Sequence, residues 1–147
     1  MPFKLNISEK GKAWKLDIED ESLVGKSIGS IVKGEEIKSD FNGYEFEVTG
    51  GSDNAGFPLK KDIEGIALRK VLLKKGFAMQ DNTEGIRRKK TVRGKQISGT
   101  TSQINLKVIK TGAKKLEEIF PSQNKPKEKK VAEAPKTEQK TESIRAN

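Results

Sequence analysis

The chain of 147 residues has neither cysteine nor histidine. Without cysteine there are no disulfides, thiolate metal sites or thiol nucleophiles. Without histidine the commonest general base and metal ligand is missing as well. Carboxylates, lysine and hydroxyls remain, and they need a pocket that the sequence does not announce. No metal site and no cofactor is expected, and an enzyme is disfavoured. Apolar residues are also scarce, at 32% against 35% charged, so the core must be small, and a compact barrel would suit it. No apolar run approaches the roughly 20 residues of a membrane span. The opening MPFKLNISEKGK carries no signal-peptide stretch, so a cytoplasmic protein with no membrane partner is expected.

What the chain has is positive charge, unevenly placed. Residues 1–57 hold 7 Lys or Arg against 11 Asp or Glu, residues 58–120 hold 16 against 6, and residues 121–147 hold 7 against 4. The formal net charge of +9 therefore comes mostly from the middle segment, where it builds a one-sided positive field. The densest cluster is RRKKTVRGK, with Arg87, Arg88, Lys89, Lys90, Arg93 and Lys95 and no acid among them. Lys60, Lys61, Arg69, Lys70, Lys74 and Lys75 extend it. A run of this kind is often just solvated surface, or a nuclear-localisation signal when it sits in a flexible terminus. Its size, its arginine content and a pI near 9.6 favour contact with a polyanion, since guanidinium groups grip phosphate at two points. The acidic first half supports a rival reading, a protein-interaction module that docks a basic partner.

Along the chain, Phe3, Leu5 and Ile7 and then Trp14, Leu16 and Ile18 alternate with period two around a polar link, which predicts a β-hairpin. Glycines 25, 29 and 34 interrupt the next stretch too often for a long helix. Tyr44, Phe46 and Val48 predict a strand, and Ile104, Leu106 and Val108 predict a closing one. Ile66, Leu68 and residues 71–73 are ambiguous between helix and strand. Short strands separated by turns favour a mainly β fold, a small closed β-barrel with short helical elements, over residues 1–112. Leu116, Ile119 and Phe120 have the spacing of a short helix over 113–120. Residues 121–147, rich in Lys, Glu, Pro, Thr and Gln, predict a disordered tail.

Between the strand at 44–48 and the first basic pair lies VTGGSDNAGFPLKK. It fails the nucleotide-hydrolase phosphate-loop pattern, because Gly51 is followed by Gly56 and then Phe57, and it fails the dinucleotide spacing of glycines. Asp53 has no second carboxylate nearby with which to form a catalytic or metal pair. The simplest reading is geometric. Gly50 and Gly51 allow positive φ or close backbone approach, Asp53 and Asn54 hold a turn, and Pro58 fixes the exit with Phe57 buried.

The same residues carry a resemblance. GGSDNAGFPLKK, then RRKKTVRG, then INLKVIK, after an FKLNIS opening, resemble the small-subunit ribosomal protein S-six family of the archaeal and eukaryotic type, over about residues 2–120. The resemblance implies a structural, ribosomal-RNA-binding component of the small subunit, with neighbouring ribosomal proteins possible as partners and one copy per ribosome. It maps a conserved element beside RNA onto Gly50, Gly51, Asp53, Gly56, Phe57 and Pro58, and the basic-run match onto Arg87, Arg88, Lys89, Lys90, Arg93 and Gly94. Two departures stand out. Leu59 replaces a frequent Met, a nearly volume-conserving change. The tail, with Ser122 and Ser143, lacks the Arg-Arg-x-Ser run of the longer eukaryotic members. With few aromatics, the expected mechanism is a basic loop at 87–95 that neutralises phosphates and reads RNA shape.

Overall fold

The computed structural model describes residues 2–124. Among them the strands are β1 (Phe3–Glu9), β2 (Lys12–Ile18), β3 (Ile31–Lys33), β4 (Glu45–Asp53), β5 (Leu68–Leu73), β6 (Arg88–Arg93) and β7 (Thr101–Lys110), followed by one helical turn, α1 (Leu116–Ile119). They form a five-stranded sheet in the order β2-β1-β7-β4-β3 and a separate two-stranded ribbon, β5-β6.

The expected hairpin is present and tighter than its polar link suggested. Glu9 pairs with Lys12, which leaves Lys10 and Gly11 as a two-residue turn with φ of 44° and 82°. Positive φ at both positions matches the right-handed twist of the strands. Opposed residues share a face, so Phe3 with Ile18, Leu5 with Leu16 and Ile7 with Trp14 point to one side. The parallel β1–β7 pairing sets Leu5 beside Ile104 and Ile7 beside Leu106, and β4 adds Phe46 and Val48. One continuous apolar face results, and burial of each large side chain on it contributes on the order of 1.5–3 kcal/mol.

The sheet does not close into a barrel, contrary to expectation. β2 and β3 are its edges and do not pair with each other. β3 has only three residues, and the outer edge of β2 is already occupied. The Gln123 side-chain amide accepts from the Lys15 N–H at 2.7 Å and donates to the Lys15 carbonyl at 2.9 Å, and Asn124 Nδ2 donates to the Ala13 carbonyl at 2.7 Å. Side chains from turns and helix, rather than further strands, cover the apolar face: Leu23, Ile37, Phe41, Ile97 and Leu116 are all buried in the main core. Phe41, Tyr44, Phe46 and Phe120 pack there as an aromatic group. The expected disordered tail falls, from residue 125 on, outside the described residues.

Candidate nucleic-acid interface

The ambiguous apolar run at 68–73 forms β5, and the basic run forms β6. This corrects the expectation of a basic loop: Arg88–Arg93 is an ordered strand, with Arg87 just before it and Lys95 just beyond. Leu73 pairs with Arg88, Val71 with Lys90 and Leu68 with Arg93. One face of the ribbon carries Val71, Leu73 and Val92, which pack with Ile63 and Met79 into a second, smaller core. The connection between the strands folds back over this face, and Lys90 Nζ donates to the Ala78 carbonyl at 2.7 Å. The other face presents Leu68, Lys70 and Leu72 opposite Arg93, Thr91 and Lys89, and both leucines are exposed. Neither β5 nor β6 contains an acid.

The glycine-rich motif seats this ribbon on the sheet. Pro58 makes a bridge to Ser52, and Leu59 makes one to Arg93. The Arg93 N–H donates to the Pro58 carbonyl and the Lys60 N–H to the Arg93 carbonyl, each at 2.9 Å. Gly51 is required by close approach: a Cβ there would lie 2.4 Å from the Gln103 carbonyl oxygen of β7 and 2.9 Å from Leu59 Cδ1. Gly56 is required by its φ of +86°. Gly50 meets neither condition, since its φ is ordinary and a Cβ would meet nothing within 4 Å. Phe57 and Pro58 are half-buried, and Leu59 rather than Phe57 is the buried residue of this exit.

Asp53 has a role that no sequence pattern announces. It is buried, its Oδ1 accepts from the Asn54 N–H at 2.7 Å, and its Oδ2 pairs with Nη1 of Arg93, forty residues away. The two side chains retain only 3% and 13% of their accessible surface. The carboxylate therefore locks β6 to the end of β4.

The basic residues singled out in the sequence separate into two groups. Arg93 is turned inward to Asp53. Lys60 pairs with Asp62, Arg88 with Asp81 and Lys95 with Glu64, and Lys90 is held by a carbonyl. Lys61, Arg69, Lys70, Lys74, Lys75, Arg87 and Lys89 are exposed and have no ion-pair partner among the described residues. Two acids beside the ribbon, Asp62 and Asp81, are held ionised. A hydrogen bond from Lys60, and then its charge, keep Asp62 below the usual carboxylate range. Hydrogen bonds from the Thr83 hydroxyl and N–H, with Arg88 nearby, do the same for Asp81. Sequence reasoning missed Phe77, which is exposed in the β5–β6 connection under Lys60.

Fold and surface together define a class, a small β-protein that displays a cationic ribbon braced on its sheet. Its family follows from comparison with known proteins: the family model described as ribosomal protein S6e matches residues 3–121, and the chain belongs to that family. Among its relatives, the small ribosomal subunit protein eS6 of Methanosphaera stadtmanae is 37% identical over 123 residues, 82% of this chain and 93% of that protein. The eS6 of Archaeoglobus fulgidus is 38% identical over 125 residues, and that of Methanothermobacter thermautotrophicus 39% over 123; each match covers 82% of this chain and 96% of the relative. The family is a structural component of the ribosome, not an enzyme, and its place in archaea is the cytoplasm.

Proposed function

We propose that the chain is a structural constituent of the small ribosomal subunit that grips ribosomal RNA with the β5–β6 ribbon and thereby supports subunit assembly. One observation carries this reading. Seven exposed cations without ion-pair partners among the described residues stand on or beside two acid-free strands, and a buried ion pair fixes those strands to the sheet. Such a surface suits phosphate contact and shape recognition, which are what structured RNA offers. In this reading Arg93 is a strut rather than a phosphate contact, and Lys70, Lys74, Arg87 and Lys89 take the phosphates.

The test is co-sedimentation of the protein with small subunits across a salt series, comparing wild type with a variant carrying Lys70→Ala, Lys74→Ala, Arg87→Ala and Lys89→Ala. Each lost contact should flatten the plot of log affinity against log salt by about 0.7–0.9. The variant should therefore fall off the subunit at lower salt and with a slope shallower by about 3. A wild type that stays free while subunits remain intact, or a variant with an unchanged slope, refutes the proposal.

A further inference from the structure

We infer that Phe77 is a stacking platform for an unpaired RNA base, an inference that rests on the RNA-binding reading above. The chain has eight aromatic residues. Phe3, Trp14, Phe41, Tyr44 and Phe46 are buried, and Phe57 and Phe120 are half-buried. Phe77 retains 46% of its accessible surface. The apolar cluster of Ile63, Leu73, Met79 and Val92 lies close by in the fold, yet the chain buries Met79, two residues on, and leaves the ring outside.

The backbone holds it there. Gly76 has φ +122° and Ala78 has φ +56°, so the phenylalanine sits between two left-handed residues. Ala78 is not a glycine, and such a conformation persists only where the surroundings impose it. Here the Met79 N–H donates to the Gly76 carbonyl at 3.1 Å and closes a turn with Phe77 and Ala78 at its centre, Lys90 Nζ binds the Ala78 carbonyl, and Met79 anchors the exit by being buried. The ring is therefore displayed by construction rather than left loose.

Its surroundings select the occupant. Lys60 Nζ lies 5.2 Å from the ring centroid on one side, and Lys74 and Lys75, both exposed, precede it in the same connection. A half-exposed ring with an ammonium over it, among cations, fits a ligand that joins a flat π-system to a phosphate backbone. A nucleobase stacks on such a ring with little regard for its identity, and the lysines hold the flanking phosphates. A paired base keeps its faces inside the helix, so the partner is an unpaired nucleotide beside the phosphates that the ribbon grips.

The test measures affinity of the full chain for two probes, a uridine homopolymer strand and a fully paired RNA duplex of the same phosphate count. Phe77→Ala should weaken binding to the single strand about tenfold, leave the duplex unchanged and leave the salt slope of both unchanged. Phe77→Tyr should restore single-strand affinity, and the added indole of Phe77→Trp should be quenched when the strand binds. Phe77→Ala binding the strand as tightly as wild type, or losing both probes equally, overturns the inference. The Lys70, Lys74, Arg87 and Lys89 alanine variant separates the two levels. If it loses both probes while Phe77→Ala loses neither, ribbon binding stands and the platform falls; if it loses neither, the RNA-binding reading fails and this inference with it.

Discussion

The five-stranded sheet and the two-stranded β5–β6 ribbon stand on different footings. Among the described residues, sixteen buried side chains form the core on the sheet and four form the core under the ribbon. The sheet can be assembled from its own alternation, while the ribbon leans on a seat made by the motif at 50–60. Its strands carry cations at Arg69, Lys70, Arg88, Lys89, Lys90 and Arg93 and no acid, and although the register sets each cation opposite an uncharged residue, no ion pair within the ribbon helps to hold the two strands together. An acid-free ribbon over a core of four side chains has little to hold it from within, and it gains from a brace outside. Asp53 is that brace.

Cutting the brace should produce the largest effect. Arg93→Met leaves the Asp53 carboxylate buried and unpaired, which costs about 3–5 kcal/mol. Adding Asp53→Leu removes the orphaned charge and should return most of that loss, because apolar pairs often replace buried ion pairs without penalty. Urea unfolding of the single and double variants measures both quantities. Amide exchange should show the loss concentrated in β5 and β6, while β1 and β7 stay protected. If exchange quickens equally everywhere, the ribbon is not separately braced and the contrast between the two regions collapses.

Gly51→Ala should come next, at about 1–3 kcal/mol. Its Cβ would meet the β7 backbone, which cannot swing away as a side-chain end can. Here the damage should reach the sheet itself, because β4 and β7 must separate to admit the methyl. Thermal unfolding of this variant against Arg93→Met distinguishes a fault in the sheet from a fault in the seat.

The two regions were also unequally legible in the sequence. Period-two alternation placed β1, β2, β4 and β7, because a half-buried strand writes its burial into its own residues. The closed barrel was not legible: whether edge strands meet depends on which distant groups reach them, here Gln123 at Lys15 and Phe41 or Leu116 over the face. On the ribbon, composition located the charge correctly but could not sort it. Arg93 and Arg87 look alike in RRKKTVRG, and only the partner forty residues earlier turns one inward. The strand character of β6 was masked because its cations stand on both faces: Arg88 and Lys90 share the face of Val92, so no apolar alternation is written in the strand. Phe77 did leave a trace in KKGFA, an aromatic beside two lysines after a glycine, although nothing local showed it to be exposed.

Gly50 yields the smallest expected effect and sharpens the reading of the motif. It neighbours Gly51 on β4, where the pairing with β7 shifts register between Val48 and Gly50. Despite that irregularity its φ is ordinary, and the space before it is open. Alanine there should narrow the unfolded ensemble without clashing, so Gly50→Ala should change stability by no more than about 0.5 kcal/mol, in the stabilising direction if at all. Urea unfolding reads this directly. A loss above about 1 kcal/mol would mean that the register shift itself needs glycine, and the geometric account of the motif would extend to both residues. Unchanged folding with weaker attachment to small subunits would mean that the bare backbone at Gly50 is kept for something that approaches it from outside the chain.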